Sequence, residues 1–217
     1  SLGLSYIYVS IDGIGKTHDY IRGVSGLYDK ILKGIRMSQN KGLKVGVVTT
    51  VSSLNIMQIE DLYRLFKKIG IKIWQIQIMI NIGNAQANSE LVLSLEDLYK
   101  LTKIISIIRK NERDIKIVTC DNIGYYASYE PMYRERPFSG CKAGSYLLGI
   151  QANGDVRGCL SIPANSETTE GNVRDRSIKD IWNDPTLFQN YRNKNENKLK
   201  GFCAKCEYRN ICLAGCS

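Results

Sequence analysis

Long apolar runs are missing from this chain: no stretch approaches twenty residues, so no membrane-spanning helix is expected. No charged-then-apolar leader stands at its start, and the first residue is Ser1 rather than Met. This reads as a soluble protein whose beginning is missing or was removed. Blocks of five or six like charges are also missing, although the formal charge is +9. The Lys and Arg excess is scattered over predicted helix surfaces, which reads as a solvated basic face. Histidine is nearly absent. The single one, His18, reads as a local hydrogen-bond partner in a loop rather than a catalyst. Cysteine is too sparse for a disulfide scaffold and odd in number, seven among 217 residues, which points to a reducing, cytoplasmic setting.

What is present is enough to fold. At 43% apolar composition the chain can bury a substantial core in one or two domains. Residues 6–11 are aromatic or β-branched except Ser10, and Asp12-Gly13 follows as a turn signal, so a strand ends there. Leu27, Ile31 and Ile35 recur at helical spacing up to Gly42, and residues 43–51 give a second strand. Asn55 is placed to cap a helix with the stripe Ile59, Leu62, Tyr63, Phe66 and Ile69. Residues 71–80 form a third strand. Ser94 with Asp97 opens a helix through Leu98, Leu101, Ile105 and Ile108, and residues 115–119 give a fourth strand. Alternation of this kind belongs to parallel βα units, so residues 1–119 read as α/β. Four strands do not close a barrel, and further strands are expected upstream of Ser1.

After Cys120 the pattern changes to glycines, aromatics and short segments. Asn153-Gly154 between two strand-like runs, residues 146–151 and 155–159, is a hairpin signal. Ser177 can cap a short helix over residues 178–183. Six of the seven cysteines then stand in a pattern: Cys141-x12-Gly154-x4-Cys159, and Cys203-x2-Cys206-x5-Cys212-x3-Cys216. Thiolates at such gaps converge on a bound metal, zinc or iron-sulfur, and binding replaces hydrophobic burial as a source of local stability. A zinc site uses four ligands and leaves Cys141 and Cys159 unexplained. A cluster reading uses all six and leaves two ligand positions unfilled. Cys120 reads as a buried structural thiol.

The cysteine pattern resembles the SPASM domain, the auxiliary iron-sulfur module at the carboxyl end of many radical S-adenosylmethionine enzymes. Val9-Ser10-Ile11-Asp12-Gly13, His18-Asp19 and Arg22-Gly23 resemble the end of that family's fourth barrel strand and the loop after it. The resemblance implies the C-terminal part of a (βα) radical-SAM barrel over residues 1–119. Residues 120–217 would be a small, irregular α+β auxiliary-cluster domain, cut short at its C-terminus. It implies that Ser10 and Arg22 hold the ribose and carboxylate side of S-adenosylmethionine. It assigns Cys141, Cys159 and Cys216 to a nearer 4Fe-4S cluster and Cys203, Cys206 and Cys212 to a farther one. A third cluster, on Cys-x3-Cys-x2-Cys, is expected upstream of Ser1, because these residues do not contain that motif; the fragment alone should then be inactive. Gly83-Asn84-Ala85 would let backbone approach the cofactor's adenine, while Gly124-Tyr125-Tyr126 reads as packing between the two halves. Leu160, where sulfatase maturases carry an acid, argues against that branch.

The activity implied is modification of a peptide or protein side chain, begun by hydrogen abstraction with a deoxyadenosyl radical. An electron donor such as flavodoxin or ferredoxin is the implied partner, and no membrane or nucleic-acid partner is expected. The competing class is a non-enzymatic zinc module with a basic nucleic-acid-binding surface. It lacks interleaved aromatic and basic residues in a recognisable binding motif.

Overall fold

A computed structural model of the chain describes residue 4 and residues 6–124 and 130–215. Two compact units divide at the Pro137–Phe138 bond, Ser1–Pro137 and Phe138–Ser217. Tyr125 and Tyr126 lie outside the described residues.

In the first unit β1 (Tyr6–Ser10) leads through α1 (Lys16–Arg22) and α2 (Leu27–Asn40) to β2 (Lys44–Val51). α3 (Ile59–Lys68), β3 (Ile73–Ile78), α4 (Leu95–Asn111) and β4 (Lys116–Thr119) follow. The four strands make one sheet in sequence order, every pair parallel. Parallel neighbours need crossovers, and the helical stripes supply them. Ile59, Leu62, Tyr63 and Phe66 are all buried on α3, as are Leu101, Ile105 and Ile108 on α4. Ser94 caps α4 as its sequence suggests, accepting the Asp97 backbone N–H at 3.0 Å.

Trp74 of β3 is the largest fully buried side chain. Its ring meets Phe66 edge-on at 5.1 Å between centroids, and its Nε1–H donates to Thr49 Oγ1 at 2.8 Å. Trp74→Ala is expected to cost about 3–5 kcal/mol through cavity formation and a hydroxyl stripped of its partner, read by urea unfolding.

After β4 the chain stays with the first unit through α5 (Glu130–Tyr133). The Arg134 guanidinium pairs with Glu130 at 2.9 Å and donates to the Gly124 carbonyl at 2.7 Å, both side chains being almost fully buried. A buried ion pair of this kind needs its extra acceptors, and the Thr119, Cys120 and Gly124 carbonyls provide them.

The second unit has a small core. Val156, Ile181 and Phe188 are fully buried, with Leu148, Val173, Trp182, Leu187 and Tyr191 around them. β5 (Gly149–Ile150), β6 (Asp155–Arg157) and β7 (Gly171–Asn172) form an antiparallel sheet in that order. Asn153-Gly154 makes the β5–β6 turn: Gly154 has φ 94°, and a Cβ there would lie 2.5 Å from Asn172 Oδ1. α6 (Ile178–Asn183) is capped by Ser177, which accepts the Asp180 N–H at 3.1 Å. Short helices α7 (Gln189–Arg192), α8 (Gly201–Lys205) and α9 (Arg209–Cys212) complete it. No residue of α8 or α9 is buried.

Candidate cofactor and cluster sites

At the end of β1, Ser10 is half-buried and registers with Val48 of β2. Asp12, two residues on, is 1% exposed and anchors what surrounds it. One carboxylate oxygen accepts the Thr50 N–H at 2.8 Å; the other accepts from Arg22 at 2.5 Å. The Arg22 side chain remains 37% exposed. A guanidinium carries five N–H donors, so one anchored edge leaves the rest free to fork onto a carboxylate. Asn55 stands at the N-cap of a 3-10 turn, Ile56–Gln58, that leads into α3, but its side chain makes no capping bond. Its amide donates to the Asp12 and Thr50 carbonyls at 2.7 and 2.8 Å, while its oxygen accepts the Ser52 N–H at 2.8 Å. Two strand ends are thereby tied together beneath Arg22.

The residues between are helical rather than a loop, and α1 explains both members of His18-Asp19. Asp19 accepts the Gly26 and Tyr28 N–H groups at 2.6 and 2.8 Å, fixing the turn into α2, and these backbone bonds hold its carboxyl below the usual range. His18 is fully buried, and its Nδ1 accepts the Asp12 N–H at 3.0 Å. Burial, opposed by Asp12, pushes its pKa down. An unfolded His18 therefore takes up a proton at a higher pH than the folded one, so stability falls as pH drops below about 6.5. His18 is the only histidine of the sequence. Between pH 7.5 and 5.5 the melting temperature should fall for protein free of any histidine tag, and His18→Asn should flatten most of that slope.

In the second unit every described cysteine is a half-buried free thiol, Cys203 and Cys206 included. Cys216 lies outside the described residues. Cys159 follows β6 and its sulfur accepts the Ser161 N–H at 3.4 Å. Tyr191 is seated over Gly144 and Gly158, where a Cβ would collide with it. Its phenol is pushed up first by burial and then by Glu170, Cys159 and Cys141, so both early cysteines act on one ring. The later three form a second group. Burial raises the Cys212 thiol, and Cys206 and then Cys203 raise it further. Thiolates that oppose one another's ionisation this way are relieved by a cation between them. Among the described residues no three His, Cys, Asp or Glu side chains already stand close enough to hold one metal ion. The donors nevertheless suit soft metal: unpaired sulfurs on short helices that hydrophobic burial does not hold.

Cys120 stands apart in the first unit. Its sulfur accepts from Gln75 Nε2 at 3.2 Å and is half-buried rather than sealed in the core. Gly83-Asn84-Ala85 begins a 3-10 segment, Gly83–Leu91. The anchoring role of Asp12 escaped sequence reading because Asp-Gly after a strand signals only a turn. No helix is long and apolar enough to cross a membrane among the described residues.

The SPASM family, an iron-sulfur cluster-binding domain, matches residues 141–207. The AdoMet-dependent heme synthase of Nitratidesulfovibrio vulgaris is 27% identical, covering 99% of this chain and 60% of its own length. The PqqA peptide cyclase of Rhizobium meliloti is 21% identical, covering 99% of this chain and 56% of its own. The chain thus spans under two thirds of the curated relatives it matches. Streptococcus suis SuiB bound to S-adenosylmethionine shares the fold, with a TM-score of 0.73 at 20% identity over 97% of this chain and 49% of SuiB. The cysteine-bearing unit thus matches the SPASM iron-sulfur family over residues 141–207, and the chain as a whole is similar to S-adenosylmethionine-dependent relatives and shares the fold of SuiB.

Proposed function

We propose that the chain is part of an enzyme that opens an unactivated C–H bond of a peptide or protein side chain, with S-adenosylmethionine held beside Ser10 and Arg22. The observation that carries this reading is the sorting of thiols: Cys141 and Cys159 both act on Tyr191, while Cys203 and Cys206 both act on Cys212. These fall in the two sets that the family resemblance assigns to two auxiliary clusters, the first of which also includes Cys216. Bound S-adenosylmethionine supplies, on reductive cleavage, the radical that removes a substrate hydrogen; the auxiliary clusters supply a place for an electron. The protein's part is to hold and orient. Asp12 presents Arg22 to the methionyl carboxylate, and Ser10 offers a hydroxyl at the strand end to the ribose.

The peptide reading draws support from the PqqA peptide cyclase. A second reading, a tetrapyrrole as substrate, is favoured by the higher identity to the heme synthase, 27% against 21%. The two separate in one experiment on the anaerobically reconstituted full-length protein. With S-adenosylmethionine and a reductant it should release 5′-deoxyadenosine, and no release at all sinks the reading. A saturable Soret shift on adding an iron porphyrin, with no mass change in peptides encoded beside the gene, would replace the peptide by a tetrapyrrole.

A further inference from the structure

Arg157, the last residue of β6, is 2% exposed. Its Nε and Nη2 are buried and have no acceptor, and no carboxylate forms an ion pair with it among the described residues. A guanidinium cannot shed its charge, so sealing it away from water with donors idle is a large cost that native folds avoid. Such an arginine expects an anion.

Its surroundings say which one. The groups that act on the Tyr191 phenol are Glu170, Cys159, Arg157 and Cys141, so the guanidinium and both sulfurs are within electrostatic reach of one side chain, which itself packs over Gly158 between Arg157 and Cys159. Glu170 is already engaged, its Oε2 accepting the Phe188 N–H at 2.6 Å. Cys159 lies two residues beyond Arg157 on the same strand exit. Positive charge beside sulfur, delivered by buried N–H donors, is one of the few levers a protein has on the potential of an iron-sulfur cluster.

We infer that Arg157 is a positioning and charge-compensating residue for the anionic cluster held by Cys141 and Cys159, its free N–H groups donating to cluster or cysteine sulfur and favouring the reduced state. The inference rests on the cluster assignment made above for those two cysteines. It gives apo and loaded protein opposite responses. Without a cluster the buried cation is uncompensated, so Arg157→Met, an apolar replacement of similar length, should leave the melting temperature of metal-free protein unchanged or higher. With the cluster, the same change should make reduction harder.

The test uses the full-length protein, reconstituted anaerobically and followed by electron paramagnetic resonance at controlled potential. The signal lost in Cys141→Ala identifies the site. In Arg157→Met that signal should move to lower potential by a tenfold change in the reduction equilibrium or more, about 59 mV for one electron. Arg157→Lys, which keeps charge but not the fork, should fall between. An unchanged potential in Arg157→Met overturns the inference, as does a lower melting temperature of its metal-free form, because a purely structural arginine would be missed in both states. If wild-type protein shows no signal that depends on Cys141, the cluster assignment itself fails, and that outcome is distinct from the other two.

Discussion

Cys203→Ser combined with Cys206→Ser should remove about four irons and four sulfides per chain from the reconstituted full-length protein, the content of one cubane cluster. It should also unfasten the polypeptide around the lost site. Phe202 is 83% exposed and Ile211 52%, so α8 and α9 have almost no apolar burial to fall back on. Their own backbone bonds are few, and helices of four and five residues are not stable alone. Protease cleavage between residues 200 and 212 should therefore quicken at least tenfold, following local opening rather than global unfolding. Cys120→Ser supplies the control. That thiol sits against Gln75 in the other unit, and its loss should leave iron, sulfide and cleavage unchanged.

Asp12→Ala has the second large expected effect, and it acts on the other unit. The change deprives the Thr50 N–H of its acceptor and releases Arg22 from its 2.5 Å contact. Breaking a wholly buried pair costs about 3–5 kcal/mol, but Arg22 can turn partly to water, so a loss of about 2–3 kcal/mol is expected. Asp12→Asn keeps an acceptor for Thr50 and should lose about half as much. Binding of S-adenosylmethionine, followed by equilibrium dialysis, should weaken tenfold or more in both variants, because a guanidinium no longer held in place must be ordered by the ligand. Unimpaired binding in Asp12→Ala would remove Arg22 from the cofactor site.

The sheet was legible because its strands are runs of Ile and Val separated by helices with unbroken stripes. Ser94 could be assigned as a cap because Asp97 follows three residues later, Ser177 because it stands just before a short apolar-bearing run, and Asn153-Gly154 announces its turn. Where sequence reading went astray, the local signal belonged to a different partner. Asn55 has a capping residue's chemistry, yet its amide is taken by two carbonyls distant or local, Asp12 and Thr50. α1 begins after Gly15 with no side-chain cap and turns only His18 fully inward, so its seven residues carry no apolar stripe. β7 has two residues, too few for any alternation. Arg157 is the instructive case: nothing in the short run Asp155-Val156-Arg157 signals a buried arginine. In the structure it is 2% exposed, next to Gly158, over which Tyr191 is seated.

Anaerobic reconstitution of the full-length protein, followed by iron, acid-labile sulfide and zinc analysis, tests most directly that these cysteines hold iron-sulfur clusters. The expected result is iron and sulfide in near-equal amounts, with a share of both that disappears when Cys141, Cys159, Cys203 and Cys206 are replaced. Zinc bound by those cysteines with no accompanying sulfide would contradict it.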